Sequence, residues 1–218
     1  MYYINQKNYP HISYPTLTDL PERQRNTTVS NAGCGLCSAS MLVTNLTGFE
    51  FSLADSLELS LTVGANHSPG TDMDLFAPYV AERFDLELEM TDDPEKLRAH
   101  MRKGYMAIAN ITGDRPEDNH IGLFSHGGHY VTVVAIDESG EEVTILDPSQ
   151  TADKFTEEGR AGLVRENGFY LHTTFDLLAE DCKYRQPTSY PDGDFKAWLE
   201  YKGSPDSANR FFLFSPRN

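Results

Sequence analysis

The stretch VSNAGCGLCSASMLVTNLTG, residues 29–48, places two cysteines three positions apart, ahead of a run of small and apolar residues. The run has helical periodicity and ends at Gly48, so the pattern predicts a helix over residues 35–46 that the cysteines open. Cysteines at a helix start serve a dithiol redox centre, half of a zinc site, a reactive thiolate or plain core packing. The rest of the chain has to distinguish between these uses.

Composition limits the class of protein. A chain of 218 residues, 39% of them hydrophobic, with no linker-like stretch, predicts one globular domain over residues 1–218. Its net charge of -15 opposes contact with a phosphate backbone, so we expect no nucleic-acid partner. No window approaches the ~18 apolar residues of a membrane span, so we expect no membrane insertion. The first residues do not resemble a secretory signal, which predicts a cytoplasmic protein, or a secreted one if a leader was removed.

Helical and strand patterns occur in different halves of the sequence. Three further segments with helical signals follow the cysteine helix, at residues 51–61, 71–84 and 92–104. Four short segments rich in β-branched and aromatic residues come later, at residues 105–111, 128–137, 141–148 and 210–216. The order predicts an α+β fold with a helical half over about residues 34–104 and a sheet half over about residues 105–218.

Cys34 is the stronger candidate for a reactive thiol. It falls in the first turn of the predicted helix, where unpaired N–H groups and the helix dipole stabilise a thiolate. Gly33 and Gly35 flank it, and we expect them to leave room for a substrate backbone beside the sulfur. The roles of Cys37 and Cys182 stay open, and three cysteines in all do not indicate a disulfide framework.

The segment HGGHYVTVVAIDESGEEVTILDPS, residues 126–149, supplies a candidate base and acid. It is predicted to be a hairpin in which His129 begins one strand and Asp147 ends the other. If the turn is centred on residue 138 or 139, the two side chains share a face and lie opposite or diagonal to each other. A two-residue turn at Ser139 and Gly140 would break this parity.

Metal binding has little support in the sequence. A zinc site at Cys34 and Cys37 would need two more ligands, and no second CxxC or HxxxH spacing provides them, so neither a metal nor another cofactor is expected. The remaining histidines have no matched acid and are predicted to be surface residues: His11, His67, His100, His120, His126 and His172.

The motifs NAGCGLCSASM, GGHYVTVVAID and VTILDPS, in this order and spacing, resemble the C39-like branch of the papain-like cysteine peptidases over about residues 28–150. The resemblance implies a papain-like fold with an N-terminal helical lobe and a C-terminal lobe of antiparallel sheet. It implies Cys34 as nucleophile, His129 as general base and acid, and Asp147 as the group that orients the imidazole. The implied reaction is hydrolysis of a peptide or small amide through a thioester acyl-enzyme.

An amide donor for the oxyanion is also implied, usually a glutamine upstream of the cysteine. The papain-like spacing of six residues falls on Thr28, and Gln24, Asn26 and Asn31 are the candidates nearby. The family usually has proline and a small residue after Cys-Gly, whereas this chain has Leu36 and Cys37.

Two other functions remain open on the sequence. The CGLC motif is typical of a thiol-disulfide oxidoreductase that uses Cys34 and Cys37. The chain also fits a non-catalytic papain-like module that binds peptides. If the chain is a hydrolase, Cys37→Ala should keep turnover. Asp147→Asn should then leave the fold and the thiol in place while lowering turnover.

Overall fold

The structure, a computed structural model, describes residues 1–16, 27–67, 70–184 and 210–217. In these ranges the helices are α1 (Val29–Ala32), α2 (Cys34–Thr47), α3 (Leu53–Thr62), α4 (Met73–Arg83), α5 (Pro94–Met101) and α6 (Phe175–Asp181). The strands are β1 (Asn66–His67), β2 (Gly70–Thr71), β3 (Leu86–Thr91), β4 (Met106–Ile111), β5 (His129–Ile136), β6 (Glu142–Leu146), β7 (Arg165–Asn167), β8 (Tyr170–Thr174) and β9 (Phe211–Pro216). None of the described helices is long and apolar enough to cross a membrane.

Seven of the strands form one antiparallel sheet in the order β3-β9-β4-β5-β6-β8-β7, and β1 and β2 form a separate small hairpin. The predicted α+β class is confirmed, as are the cysteine helix and the four predicted strands. The N-terminal helices α2, α3 and α4 pack around one apolar core with one face of this sheet.

The prediction that residues 34–104 are helical is wrong at the short strands β1 and β2 and at the longer strand β3. This strand pairs along its whole length with β9, from Leu86 opposite Pro216 to Thr91 opposite Phe211. The sheet half likewise contains a helix, α6, which the sequence patterns did not predict. The short segment LELEMT is stabilised as a strand by its partner about 120 residues later, which local periodicity does not reveal.

The buried helix α2 is held against the central strand β5. Small residues let it approach closely, and its residues from Gly35 to Val43 are buried. The Ser38 hydroxyl donates to the Tyr130 carbonyl at 3.1 Å, and the Thr132 hydroxyl donates to the Ser38 carbonyl at 3.1 Å. These reciprocal bonds fix the N-terminal half of α2 relative to the first residues of β5, where His129 lies.

Candidate active site

Cys34 is the first residue of α2 and is partly exposed. The preceding helix α1 ends at Ala32, and Gly33 separates the two helices. His129 is the side chain whose hydrogen bonding and charge lower the pKa of the Cys34 thiol, and the backbone of Tyr130 and Gly35 acts in the same direction. The structure therefore brings the predicted nucleophile and the predicted base into contact.

The flanking glycines serve packing, contrary to the expectation that they leave room for a substrate. A Cβ added to Gly35 would lie 2.7 Å from Thr71 Cβ, in the β1–β2 hairpin. A Cβ added to Gly33 would lie 2.6 Å from Val29 Cγ1. The lack of a side chain at these positions therefore lets neighbouring segments approach α2 closely.

A β-bulge brings His129 and Asp147 to one face of the sheet. At the turn the Asp137 N–H donates to the Glu142 carbonyl, so the hairpin is centred between residues 139 and 140. This is the two-residue turn that, in a regular ladder, would set His129 and Asp147 on opposite faces. The register then shifts between Val133 and Ala135. The extra residue in β5 restores the predicted parity.

Beyond the bulge, Thr132 pairs with Leu146 and Val133 with Ile145. Continued by one residue, this register sets Asp147 opposite residue 131 and diagonal to His129. The observed contact agrees, because His129 Nε2 lies 2.8 Å from Asp147 Oδ1. Since Nε2 faces the carboxylate, Nδ1 is left for the Cys34 thiol.

Burial and charge shift the pKa values of all three groups. Burial raises the pKa of the Cys34 thiol, but the hydrogen bond and charge of His129 outweigh it, and the net pKa is below its ordinary value. Burial lowers the pKa of His129, and the charges and hydrogen bonds of Asp147 and Cys34 raise it above its usual value. These directions favour a thiolate beside an imidazolium.

Asp147 is fully buried and has further partners that the sequence reasoning missed. The Ser149 N–H donates to Asp147 Oδ1 at 2.7 Å, and the Ser149 hydroxyl lies 3.0 Å from the same oxygen. Lys154 Nζ lies 2.6 Å from Asp147 Oδ2. Burial raises the pKa of Asp147, but the charges of Lys154 and then His129 hold it well below its usual range. No periodic pattern marked either residue, since both lie in the loop after β6.

Gln6 is a second buried residue that the sequence reasoning missed. Its backbone N–H donates to the Pro148 carbonyl at 2.7 Å, and its Nε2 donates to the Ser30 carbonyl at 2.8 Å. It thus joins the loop after Asp147 to the helix just before Cys34. Its Oε1 is buried without a hydrogen-bond partner within the described part of the chain.

The amide donors that the sequence named are not all described. Gln24 and Asn26 lie outside the described residues, so their predicted role stays untested. Asn31 is exposed on α1. Thr28 caps α1 without a side-chain hydrogen bond to the helix.

The other two cysteines are free and buried. Cys37 is 0% exposed, and burial followed by the nearby Cys34 raises the pKa of its thiol. Cys182 lies just after α6, and burial raises the pKa of its thiol as well. Both cysteines therefore behave as small apolar packing residues.

The prediction that the other histidines are surface residues is wrong for several of them. His120 Nε2 lies 2.8 Å from the fully buried Asp181. His100 is half-buried, within hydrogen-bond distance of two backbone carbonyls. His126 is exposed, as predicted, although it contacts Asp114 and Glu157. Among the described residues, no group of three or more His, Cys, Asp or Glu is arranged to hold a metal.

Comparison with known proteins gives a family match. The model of the Peptidase_C39-like family matches residues 3–160, more than half of the chain. No curated protein matches the sequence.

Two solved structures are similar to the chain at low identity. The peptidase domain of Streptococcus ComA, a bifunctional ABC transporter involved in a quorum-sensing pathway, has 15% identity and a TM-score of 0.39, over 74% of this chain and 97% of that one. A putative C39-like peptidase from Bacillus anthracis has 13% identity and a TM-score of 0.45, over 100% of both chains.

Proposed function

Since the chain belongs to the Peptidase_C39-like family, we propose that it is a cysteine peptidase or amide hydrolase whose triad is Cys34, His129 and Asp147. One observation carries the proposal. A thiol at the first residue of a buried helix has a histidine partner, and a buried carboxylate lies 2.8 Å from the far nitrogen of that histidine. This is the arrangement of nucleophile, base and orienting group that acyl transfer requires.

The proposed reaction has two steps. The Cys34 thiolate attacks the substrate carbonyl, and the imidazolium of His129 gives its proton to the leaving amine as the C–N bond breaks, which leaves a thioester. His129 then takes a proton from water, the resulting hydroxide attacks the thioester, and the carboxylic acid and the thiolate are released. Asp147 stays ionised throughout and holds the imidazole by Nε2.

Gln6 is proposed as the side-chain donor to the oxyanion. A side-chain amide carries two N–H donors, and the Ser30 carbonyl takes one of them, so the second can serve the substrate. The position of Gln6 beside the segment that leads into Cys34 supports this role. Because loss of such a donor costs about 100-fold or more in rate, Gln6→Ala should reduce kcat to that extent while Cys34 stays as reactive to iodoacetamide.

The two alternatives have less support from the site. A dithiol enzyme needs a second thiol that can ionise and exchange, whereas burial raises the pKa of Cys37 and keeps it from solvent. A peptide-binding module has no need for the lowered pKa of Cys34 or the raised pKa of His129.

Alkylation against pH tests the ion pair without knowledge of the substrate. The rate of iodoacetamide reaction at Cys34, followed by mass spectrometry, should report an apparent pKa well below the ~8.5 of a free cysteine. His129→Ala should move it up toward that value, and Cys37→Ala should leave it unchanged. A wild-type profile near that of free cysteine, unmoved by His129→Ala, would favour the binding module.

Cleavage is tested with a mixture of synthetic peptides of varied sequence. New termini detected by mass spectrometry should appear with the wild-type protein and with Cys37→Ala, and should be absent with Cys34→Ala. Equal cleavage by wild type and Cys34→Ala would contradict the proposed nucleophile.

A further inference from the structure

Lys154 is a buried cation to which the proposed reaction gives no part. Its side chain is 9% exposed. Lysines are rarely buried unless a partner balances their charge. Nζ lies 2.6 Å from Asp147 Oδ2 and 2.6 Å from Ser149 Oγ. Taking its charge out of water is costly, so a buried lysine at this point needs a reason.

The two carboxylate oxygens of Asp147 have different partners. Oδ1 faces His129 Nε2 and accepts from Ser149, whereas Oδ2 accepts from Lys154. The Ser149 hydroxyl accepts from Lys154 and lies within hydrogen-bond distance of Asp147 Oδ1. Lys154 and Ser149 therefore fix the plane of the carboxylate, and with it the oxygen presented to His129.

We propose that Lys154 is a positioning residue that keeps Asp147 ionised and oriented, and sets the pH range in which Cys34 and His129 exist as an ion pair. The inference rests on the proposed function. Lys154 does not touch the substrate in this scheme and acts through Asp147.

The charges of the site explain why such a residue is needed. Cys34 and His129 form one pair of opposite charges, and Asp147 and Lys154 form a second. Without Lys154, the imidazolium would be the one counter-charge of the buried carboxylate within the described ranges. The carboxylate would then hold the proton on His129 more tightly, although His129 must give that proton to the leaving amine.

Among the residues that the structure describes, few other ionisable groups face this cluster. The Tyr3 hydroxyl donates to the backbone carbonyl of Asp147. The pKa of Tyr3 is raised, mainly by burial and then by the charge of Asp147. Burial likewise raises the pKa values of the tyrosines and the cysteine whose charges would act on Cys34, namely Tyr14, Tyr130 and Cys37. All of them stay neutral near pH 7, so Lys154 is the cation whose removal changes the charge of the cluster.

The direction of the effect follows from electrostatics. Loss of a nearby positive charge favours the protonated form of every neighbour, so the pKa values of Asp147, Cys34 and His129 all rise. The acid limb of activity depends on forming the thiolate beside an ionised Asp147, and the alkaline limb depends on keeping His129 protonated. Both limbs should therefore move to higher pH when the charge of Lys154 is removed.

The experiment compares neutral and charged replacements in the full chain. Lys154→Gln and Lys154→Met remove the charge, Lys154→Arg keeps it, and Lys96→Gln removes an exposed charge on α5, where Lys96 contacts Glu89. Circular dichroism identifies which variants are folded. One folded neutral variant, either Lys154→Gln or Lys154→Met, is enough for the test. The readout is the rate of Cys34 alkylation by iodoacetamide against pH, together with peptide cleavage against pH.

The neutral variants should raise the apparent pKa of Cys34 by about one unit or more and move both limbs of cleavage in the same direction. Lys154→Arg should lower the maximal rate while keeping the wild-type pH midpoints, and Lys96→Gln should match wild type. A neutral variant that loses rate equally at every pH, or an arginine variant that shifts as the neutral ones do, would overturn the inference. If both neutral variants unfold, Lys154→Arg decides alone, and a shift of its midpoints by a unit overturns the inference.

The outcomes also separate this inference from the proposed function. If His129→Ala shifts the Cys34 profile and the neutral variants of Lys154 do not, the triad stands and the inference fails. If His129→Ala has no effect, no ion pair exists, and both proposals fail together.

Discussion

Asp147→Asn tests the site through the stability of the fold. On the sequence alone this substitution should be structurally silent, but in the structure Asp147 is 0% exposed and the side chain of Lys154 is 9% exposed. The asparagine keeps an acceptor for His129 and leaves the ammonium of Lys154 buried beside a neutral group. Breaking a buried pair by removing one partner costs about 3–5 kcal/mol, a large fraction of the 5–15 kcal/mol typical of a domain.

The expected loss at pH 7 is therefore about 3–5 kcal/mol in the free energy of unfolding, measured by urea denaturation with circular dichroism. Lys154→Met should be destabilised as well, and the double variant Asp147→Asn/Lys154→Met should be more stable than the sum of the single losses predicts, by about 1–3 kcal/mol.

The pH dependence has a definite sign. Because Asp147 has a pKa below its unfolded value, its contribution is present above about pH 4 and is lost as the pH falls toward the folded pKa. The difference between wild type and Asp147→Asn should accordingly shrink below about pH 4. A single variant within about 0.5 kcal/mol of wild type at pH 7, or a strictly additive double variant, would refute the buried ion pair.

The remaining predictions concern the packing behind the nucleophile. Cys37→Ala should cost about 1 kcal/mol in unfolding free energy while keeping the alkylation profile of Cys34, and loss of that profile would implicate Cys37 in the chemistry. Gly35→Ala forces a Cβ to 2.7 Å from Thr71 Cβ and should cost about 1–3 kcal/mol, visible as a lower urea midpoint. An unchanged midpoint would mean that the β1–β2 hairpin yields without cost.

Local signals account for the parts of the fold that the sequence predicts. The Ser52 side chain accepts from the Asp55 N–H at the start of α3, and Pro94 begins α5 after the cap Asp93. Each of these interactions spans three residues or fewer, so a short window contains both partners. Cys34 is likewise recognised from a short window, because its predicted reactivity follows from its position in the first turn of α2.

Contacts between distant residues account for what the sequence did not reveal. The strand β3 forms because it pairs with β9. Gln6 is held at the site by hydrogen bonds to the carbonyls of Ser30 and Pro148. Lys154 is only seven residues from Asp147, but it lies in a loop, where no period constrains which side chain turns inward. The position of such residues depends on a contact partner elsewhere in the fold, and the periodicity of a single segment does not reveal that partner.

The meeting of His129 and Asp147 depends on an irregularity of the backbone. With the turn centred between residues 139 and 140, an unbroken ladder would set Asp147 opposite Thr132, whose hydroxyl bonds to α2. The carboxylate would then share a face with Thr132 and point away from the face of His129. The bulge between Val133 and Ala135 adds one residue to β5 and reverses this, although VTVVAI contains no glycine or proline to mark it. One extra residue in β5, several positions after His129 and without chemistry of its own, therefore determines which face of the sheet receives the acid of the proposed triad.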